Sequence, residues 1–157
     1  MFKSLDGCEP EVKTELSVGI DLKSAKNYLV YPGETIVIDL GVKLDLDALR
    51  NQWDTQTDQN KDRPTWKQFL KSHFVQLAPR SSLRAKGIIS GQGYIDLDLP
   101  DSLKLIVHNF SKELLAVHKG ERVAQAIVLE HKSFLSGLMS NNKRSGGTGS
   151  TDANDNN

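Results

Sequence analysis

"NYLVYPGETIVIDLGVKLDL", Asn27 to Leu46, decides the fold class. Ile36, Ile38, Leu40, Val42, Leu44 and Leu46 alternate with their neighbours, which is the period of a half-buried strand. Pro32-Gly33 is a turn that separates this run from "NYLVY". The same texture begins near Val12. It returns at Phe74-Val75-Gln76-Leu77 and continues through "GYIDLDL", "LKLIVHNF", "ELLAVHKG" and "ERVAQAIVLEH". Short strands with turn signals roughly every 8 to 12 residues predict an all-β sandwich or barrel rather than βαβ units.

One stretch interrupts the pattern. "DALRNQWDTQTDQNKDRPTWKQFLKSH", Asp47 to His73, is polar and poor in β-branched residues. It predicts a short helix near Asp47 to Trp53, then a loop. A second helix should start near Pro64, with the proline in its first turn. Trp66, Phe69 and Leu70 fall at i, i+3 and i+4 and share a face. That stripe is expected to pack the helix onto the body, a partner-binding face being the lesser reading.

At 157 residues the chain has the size of one domain, and 38% hydrophobic residues suffice for one core. Lys+Arg and Asp+Glu are both 20, so there is no net basic field of the kind that binds nucleic acid. The single cysteine, Cys8, excludes an intrachain disulfide and fits a reducing compartment. No apolar run approaches the roughly 18 residues of a membrane span. "MFKSLDGCEP" has no apolar signal region, so the expected address is the cytoplasm. After Ser136 the chain turns into a Gly/Ser/Asn tail, expected to be mobile. The expected organisation is a β domain over 1–135, with an insertion at about 49–72, and a tail over 136–157. His73, His108, His118 and His131 show no metal-ligand spacing.

The chemistry concentrates in "PRSSLRAKGIISGQGYID", Pro79 to Asp96. A guanidinium and two hydroxyls beside exposed backbone N–H groups suit a phosphate. Glycines let a backbone approach a flat ligand, and a hairpin can read a base edge with main-chain groups. Asp96 could take a proton from water. Singly, each signal is weak: an Asp in a strand is more often a hydrogen-bonded or solvated group. Three further stretches carry similar hints. They are "SVGIDLKS" with Asp21, "KGERVAQAIVL" with Gln125, and "KRSGGTGST", whose consecutive N–H groups could wrap phosphates.

Taken in order, these stretches resemble the trimeric dUTPase family. Its five motifs are matched by "VGIDL" (Val18 to Leu22), "PRSSL" (Pro79 to Leu83), "GYIDLDLPD" (Gly93 to Asp101), "GERVAQ" (Gly120 to Gln125) and "KRSGGTGSTD" (Lys143 to Asp152). The resemblance spans nearly the whole chain apart from the insertion. It implies a distorted β jelly roll assembled as a homotrimer with shared active sites. It also implies magnesium-dependent hydrolysis of dUTP to dUMP and pyrophosphate, which limits uracil in DNA and supplies dUMP for dTMP synthesis.

The residue roles follow from the same resemblance. Asp96 is the general base for water attack at the α-phosphate. Arg80, Ser81, Ser82 and Gln125 serve the phosphate chain. The hairpin from about Ile89, with Gly93, Tyr94 and Ile95, receives uracil and has no room for a 5-methyl group. Asp21 holds a water of the Mg2+ ion. Arg144, Gly146, Gly147, Thr148 and Ser150 belong to a tail that closes over the phosphates.

Two positions depart from the family pattern. Leu99 stands where a tyrosine packs on the deoxyribose, and Thr148 where a phenylalanine stacks on the base. The tail's arginine aligns with Lys143 or, one residue on, Arg144, the better phosphate fork. These departures keep open relaxed specificity towards dTTP or UTP, and a regulatory binding protein on the same fold with the insertion as partner surface. The related dCTP deaminases need a glutamate where Ile106 stands, so deamination is not expected.

Overall fold

The structure is a computed structural model that describes residues 1–55, 64–91 and 93–137. Among the described residues ten strands form three antiparallel sheets. They are β1 (Phe2–Ser4), β2 (Ile20–Lys23), β3 (Tyr28–Val30), β4 (Thr35–Leu44), β5 (His73–Pro79), β6 (Ile88–Ile89), β7 (Gly93–Asp96), β8 (Ser102–Asn109), β9 (Leu115–Val117) and β10 (Arg122–Glu130). One four-stranded sheet has the order β1-β4-β8-β6, another β2-β10-β5-β7, and β3 pairs with β9. The non-sequential neighbours are those of a jelly roll, as expected.

The alternation read from Ile36 onward is one strand, β4. Ile38, Leu40 and Val42 are fully buried and Val37 is half exposed. Leu103, Leu105 and Val107 of β8 extend the same inner face. Leu22, Val75, Leu77, Ala124 and Ala126 face them from the second sheet and close the core. Each such leucine or valine contributes about 1.5–3 kcal/mol of burial.

β4 carries an irregularity that gives it an extra bend. Its register against β8 shifts between Asp39 and Lys43, and Gly41 sits inside the shift at φ 61°. The Asp39 carboxylate accepts from the Gly41 N–H (2.9 Å) and the Ser102 hydroxyl (2.6 Å). Burial raises the Asp39 pKa, but those two donors together with Lys26 and Lys104 outweigh it and the net shift is downward. A Cβ on Gly41 would lie 3.0 Å from Cys8 Sγ and 3.1 Å from the Ala25 Cβ. Gly41→Ala therefore combines left-handed backbone strain with overpacking and should cost about 2–4 kcal/mol. A lower urea midpoint would register this; an unchanged midpoint would mean that the bend relaxes freely.

Among the described residues the interruption carries two helices, as read, with 56–63 outside them. α1 (Leu46–Thr55) and α2 (Trp66–Ser72) stand between β4 and β5. α2 starts two residues later than Pro64. Thr65 is its N-cap, accepting from Gln68 N while the Gln68 side chain accepts from Thr65 N, a reciprocal capping box. Pro64 thus precedes the cap rather than filling the first turn. Phe69 is buried, and Trp66 and Leu70 pack against the core. Trp53 lies 4.4 Å from Phe69 and 6.2 Å from Trp66, ring centre to ring centre. Packing accounts for the aromatic stripe.

A second difference concerns the glycine-rich segment. β6 pairs with β8, and β7 pairs with β5, so the two arms join different sheets rather than each other. The arms are edge strands of separate layers, although Ile89 and Gly93 are close in sequence. Their partners lie far along the chain, which local turn chemistry does not encode. A short helix, α3 (Ser81–Ala85), precedes them, with Leu83 buried beneath it.

Candidate functional site

The register of β10 assembles one end of the site. Gln125 stands opposite Asp21 of β2, and Arg122 opposite Lys23. Residues three apart on a regular strand point to opposite faces. Here Val123 is an extra residue at a register shift between Arg122 and Ala124, so Arg122 and Gln125 both reach Asp21. β5 runs along the other side of β10, with Pro79 opposite Ala124. Arg80 leaves that strand end beside Gln125, its N–H donated to Val123 O at 3.0 Å.

Asp21 is the centre of this arrangement. Its side chain is 3% exposed. Oδ1 accepts from Gln125 Nε2 at 3.1 Å and pairs with Arg80 Nε at 3.3 Å. Oδ2 accepts from Arg122 Nη1 at 3.3 Å. A buried carboxylate needs compensation of this kind. In return it fixes two guanidiniums and an amide in one orientation. Exposed Ser81 and Ser82 begin α3 next to Arg80. Arg80, Ser82 and Arg122 line an open cleft of 550 Å³, with Glu11, Lys13, Lys23, Gly120 and Glu121 completing the wall.

The other expected residues lie elsewhere. Gly93, Tyr94, Ile95 and Asp96 form β7, where Gly93 pairs with Leu77, Tyr94 with Gln76 and Asp96 with Phe74. Tyr94 and Asp96 are exposed, and the Tyr94 ring lies 5.5 Å from that of Phe74. Phe74 and Pro79 are the second and last residues of β5, about 17 Å apart at strand rise. One chain therefore brings Asp21, Arg80, Ser81, Ser82 and Gln125 together but holds Asp96, on β7, beside the far end of β5. Leu99 is 5% exposed and belongs to the core. Arg144, Gly146, Gly147, Thr148 and Ser150, with the tail they sit on, lie outside the described residues.

The sequence reading missed Arg122, Lys23 and Glu11. The available signal was "GERVAQ" itself: adjacent buried Val123 and Ala124 mark a bulge, and a bulge puts Arg122 on the face of Gln125.

A family model for the dUTPases matches residues 70–152, more than half of the chain. The chain belongs to the dUTPase family. Among curated dUTPases, the deoxyuridine 5'-triphosphate nucleotidohydrolase of Rickettsia felis is 29% identical over 159 residues, covering 96% of this chain and 92% of its own length. That of Variola virus is 31% identical over 118 residues, 75% of this chain and 65% of its own. Among solved structures, the native dUTPase of EIAV has a TM-score of 0.61 at 19% identity, with 92% of each chain covered. A dUTPase of phage phi11 of S. aureus has a TM-score of 0.62 at 16% identity, covering 92% of this chain and 95% of its own. At these identities the structural likeness speaks for the jelly-roll fold. Among the described residues of this dUTPase-family chain, no helix is long and apolar enough to cross a membrane.

Proposed function

We propose that copies of this chain together hydrolyse dUTP to dUMP and pyrophosphate in the cytoplasm, each site drawing on more than one copy, as in a homotrimer. The observation that carries the reading is a set of donors gathered at one strand end: Arg80 and Gln125 on buried Asp21, with exposed Ser81 and Ser82 following Arg80. Ser81 and Ser82 hold the phosphate chain, and Gln125 reaches a further phosphate oxygen. Arg80 and Gln125 keep their orientation through Asp21. A general base must come within hydrogen-bond reach of the proton it takes. The separation along β5 keeps a chain's own Asp96 from its own Ser81. A neighbouring copy supplies the carboxylate, which deprotonates the water that attacks the α-phosphorus. Exposed Tyr94 and Leu129 on the outer face near Asp96 favour cover by such a neighbour.

Uracil is read by the main chain between β6 and β7. Four residue steps separate Ile89 from Gly93, at most about 14 Å of chain, so the two edges bracket a flat base. Buried Leu99 supports the turn after Asp96 from below. The tail, with Arg144, Gly146, Gly147, Thr148 and Ser150, closes over the phosphates.

The donor set fits a magnesium ion that arrives with the substrate. Among the described residues no three His, Cys, Asp or Glu side chains form a cage. An ionised carboxylate offers about four acceptor positions, and three donors already engage Asp21, which leaves one for a water of the ion's shell. When bound, the ion would neutralise charge on the phosphate oxygens. The phage phi11 dUTPase is described with coordination of a structural Mg(II) ion.

Pyrophosphate release with magnesium tests the reading, with dUTP, dTTP, dCTP and UTP side by side. Release from dUTP alone is expected. Comparable release from UTP or dTTP would mean a relaxed pocket, and none from any nucleotide would favour a regulatory binding protein.

A further inference from the structure

The cleft contains a charge pattern that strand pairing alone does not favour. Lys23 and Arg122 stand directly opposite each other across β2 and β10. Like charges in that relation repel. Lys23 is also largely withdrawn from water, its side chain 19% exposed. What offsets the repulsion is Glu11. Its main chain forms a single antiparallel bridge with Asp21, donating to Asp21 O at 3.0 Å and accepting from Asp21 N at 2.8 Å. That bridge holds the Glu11 carboxylate against Lys23 Nζ, and its Oε2 lies 3.9 Å from Arg122 Nη1.

Two acidic groups thus share Arg122, and they differ in freedom. Asp21 is buried and also tied to Arg80 and Gln125. Glu11 is 44% exposed and its remaining partner is a flexible lysine. With one partner open to water, this ion pair is more readily exchanged than the buried one at Asp21. Lys23, then Arg122 and Lys13, hold the Glu11 carboxyl below the usual range. Glu121, the other acidic residue of the wall, accepts from His118 N at 3.0 Å and serves its own turn. If Glu11 swings away, Lys13, Lys23 and Arg122 face the open cleft beside Ser82 without it.

We propose that Glu11 is an internal stand-in for a phosphate oxygen, displaced from Lys23 and Arg122 by the outer phosphates of the nucleotide and returning to expel pyrophosphate. The inference rests on Ser81 and Ser82 as the phosphate-binding end. It adds two specificity-determining groups: Lys23 as a phosphate ligand and Glu11 as its competitor. The exchange is of ion pairs only; no bond is made or broken.

The test measures binding of inorganic pyrophosphate with magnesium to the full chain by calorimetry, together with turnover of dUTP. Glu11→Gln keeps the backbone bridge and the size of the side chain. It should tighten pyrophosphate about fivefold and lower KM for dUTP in parallel. Lys23→Gln should weaken pyrophosphate by a similar factor. In the double variant the gain from Glu11→Gln should shrink, because only Arg122 is then left for Glu11 to occupy. Unchanged or weaker pyrophosphate binding in a folded Glu11→Gln protein overturns the proposal, as does an unaffected Lys23→Gln. Failure of the hydrolase reading is separate: it would appear as absent dUTP turnover in the unaltered protein, whereas the pyrophosphate series needs no turnover.

Discussion

Asp96→Asn should lower dUTP turnover about a thousandfold or more while leaving nucleotide binding nearly intact. The amide keeps the shape of the carboxylate but cannot accept the proton of the attacking water, and a positioned base contributes roughly 10²- to 10⁴-fold. Asp96 is exposed on β7, so folding should not suffer. The same variant tests the shared site. A second variant, Ser81→Ala with Ser82→Ala, disables the other end, and both serines are exposed. Co-expressed at equal amounts, two inactive chains that share sites at random should restore about a quarter of the sites. Recovery of that size would place Asp96 and the serines of one working site on different chains. No recovery, or near-normal turnover in Asp96→Asn alone, would remove Asp96 from this role.

Asp21→Asn should damage both stability and turnover. The carboxylate is buried to 3% exposure, and its two arginines are each 28% exposed. Removing the charge leaves two partly desolvated guanidiniums facing each other. Breaking a buried pair costs about 3–5 kcal/mol, and the exposure of the arginines reduces this to about 2–4 kcal/mol. For a chain of this size that corresponds to a fall of roughly 5–15 °C in Tm. Arg80 and Gln125 also lose the anchor that orients them, and misplacement of about 1 Å can cost a hundredfold in rate. Calorimetry and pyrophosphate release separate the two effects. A lowered Tm with normal turnover would make Asp21 purely structural, and an unchanged Tm would deny it the central place in the cluster.

The strands were legible because one face of each is buried, which imposes a period of two on Ile36 to Leu44 and on Leu103 to Val107. The helical insertion was legible for the converse reason: the period changes. Its start was misplaced because Pro64 attracted the reading, although Thr65 and Gln68 spell a capping box. The grouping of Asp21 with Gln125 was not accessible locally, since it depends on which residues of β2 and β10 face each other. Arg122 needed one step more, a bulge that turns a strand's parity over between two polar residues. The arms on either side of Gly91 fall into separate sheets for the same reason: their partners, β8 and β5, are decided by the whole fold.

That last arrangement has a mechanical side. A jelly roll is two plates held by the apolar contact between them, and each plate is stiff along its own ladders. Ile89 belongs to one plate and Gly93 to the other, so two neighbouring points of the chain sit on either side of the seam. A flat molecule gripped by both edges would act as a dowel, resisting both shear and opening of the plates. Recognition at that seam would be felt through the rigidity of the entire sandwich, and substitutions that loosen either plate would blunt selectivity without touching the ligand.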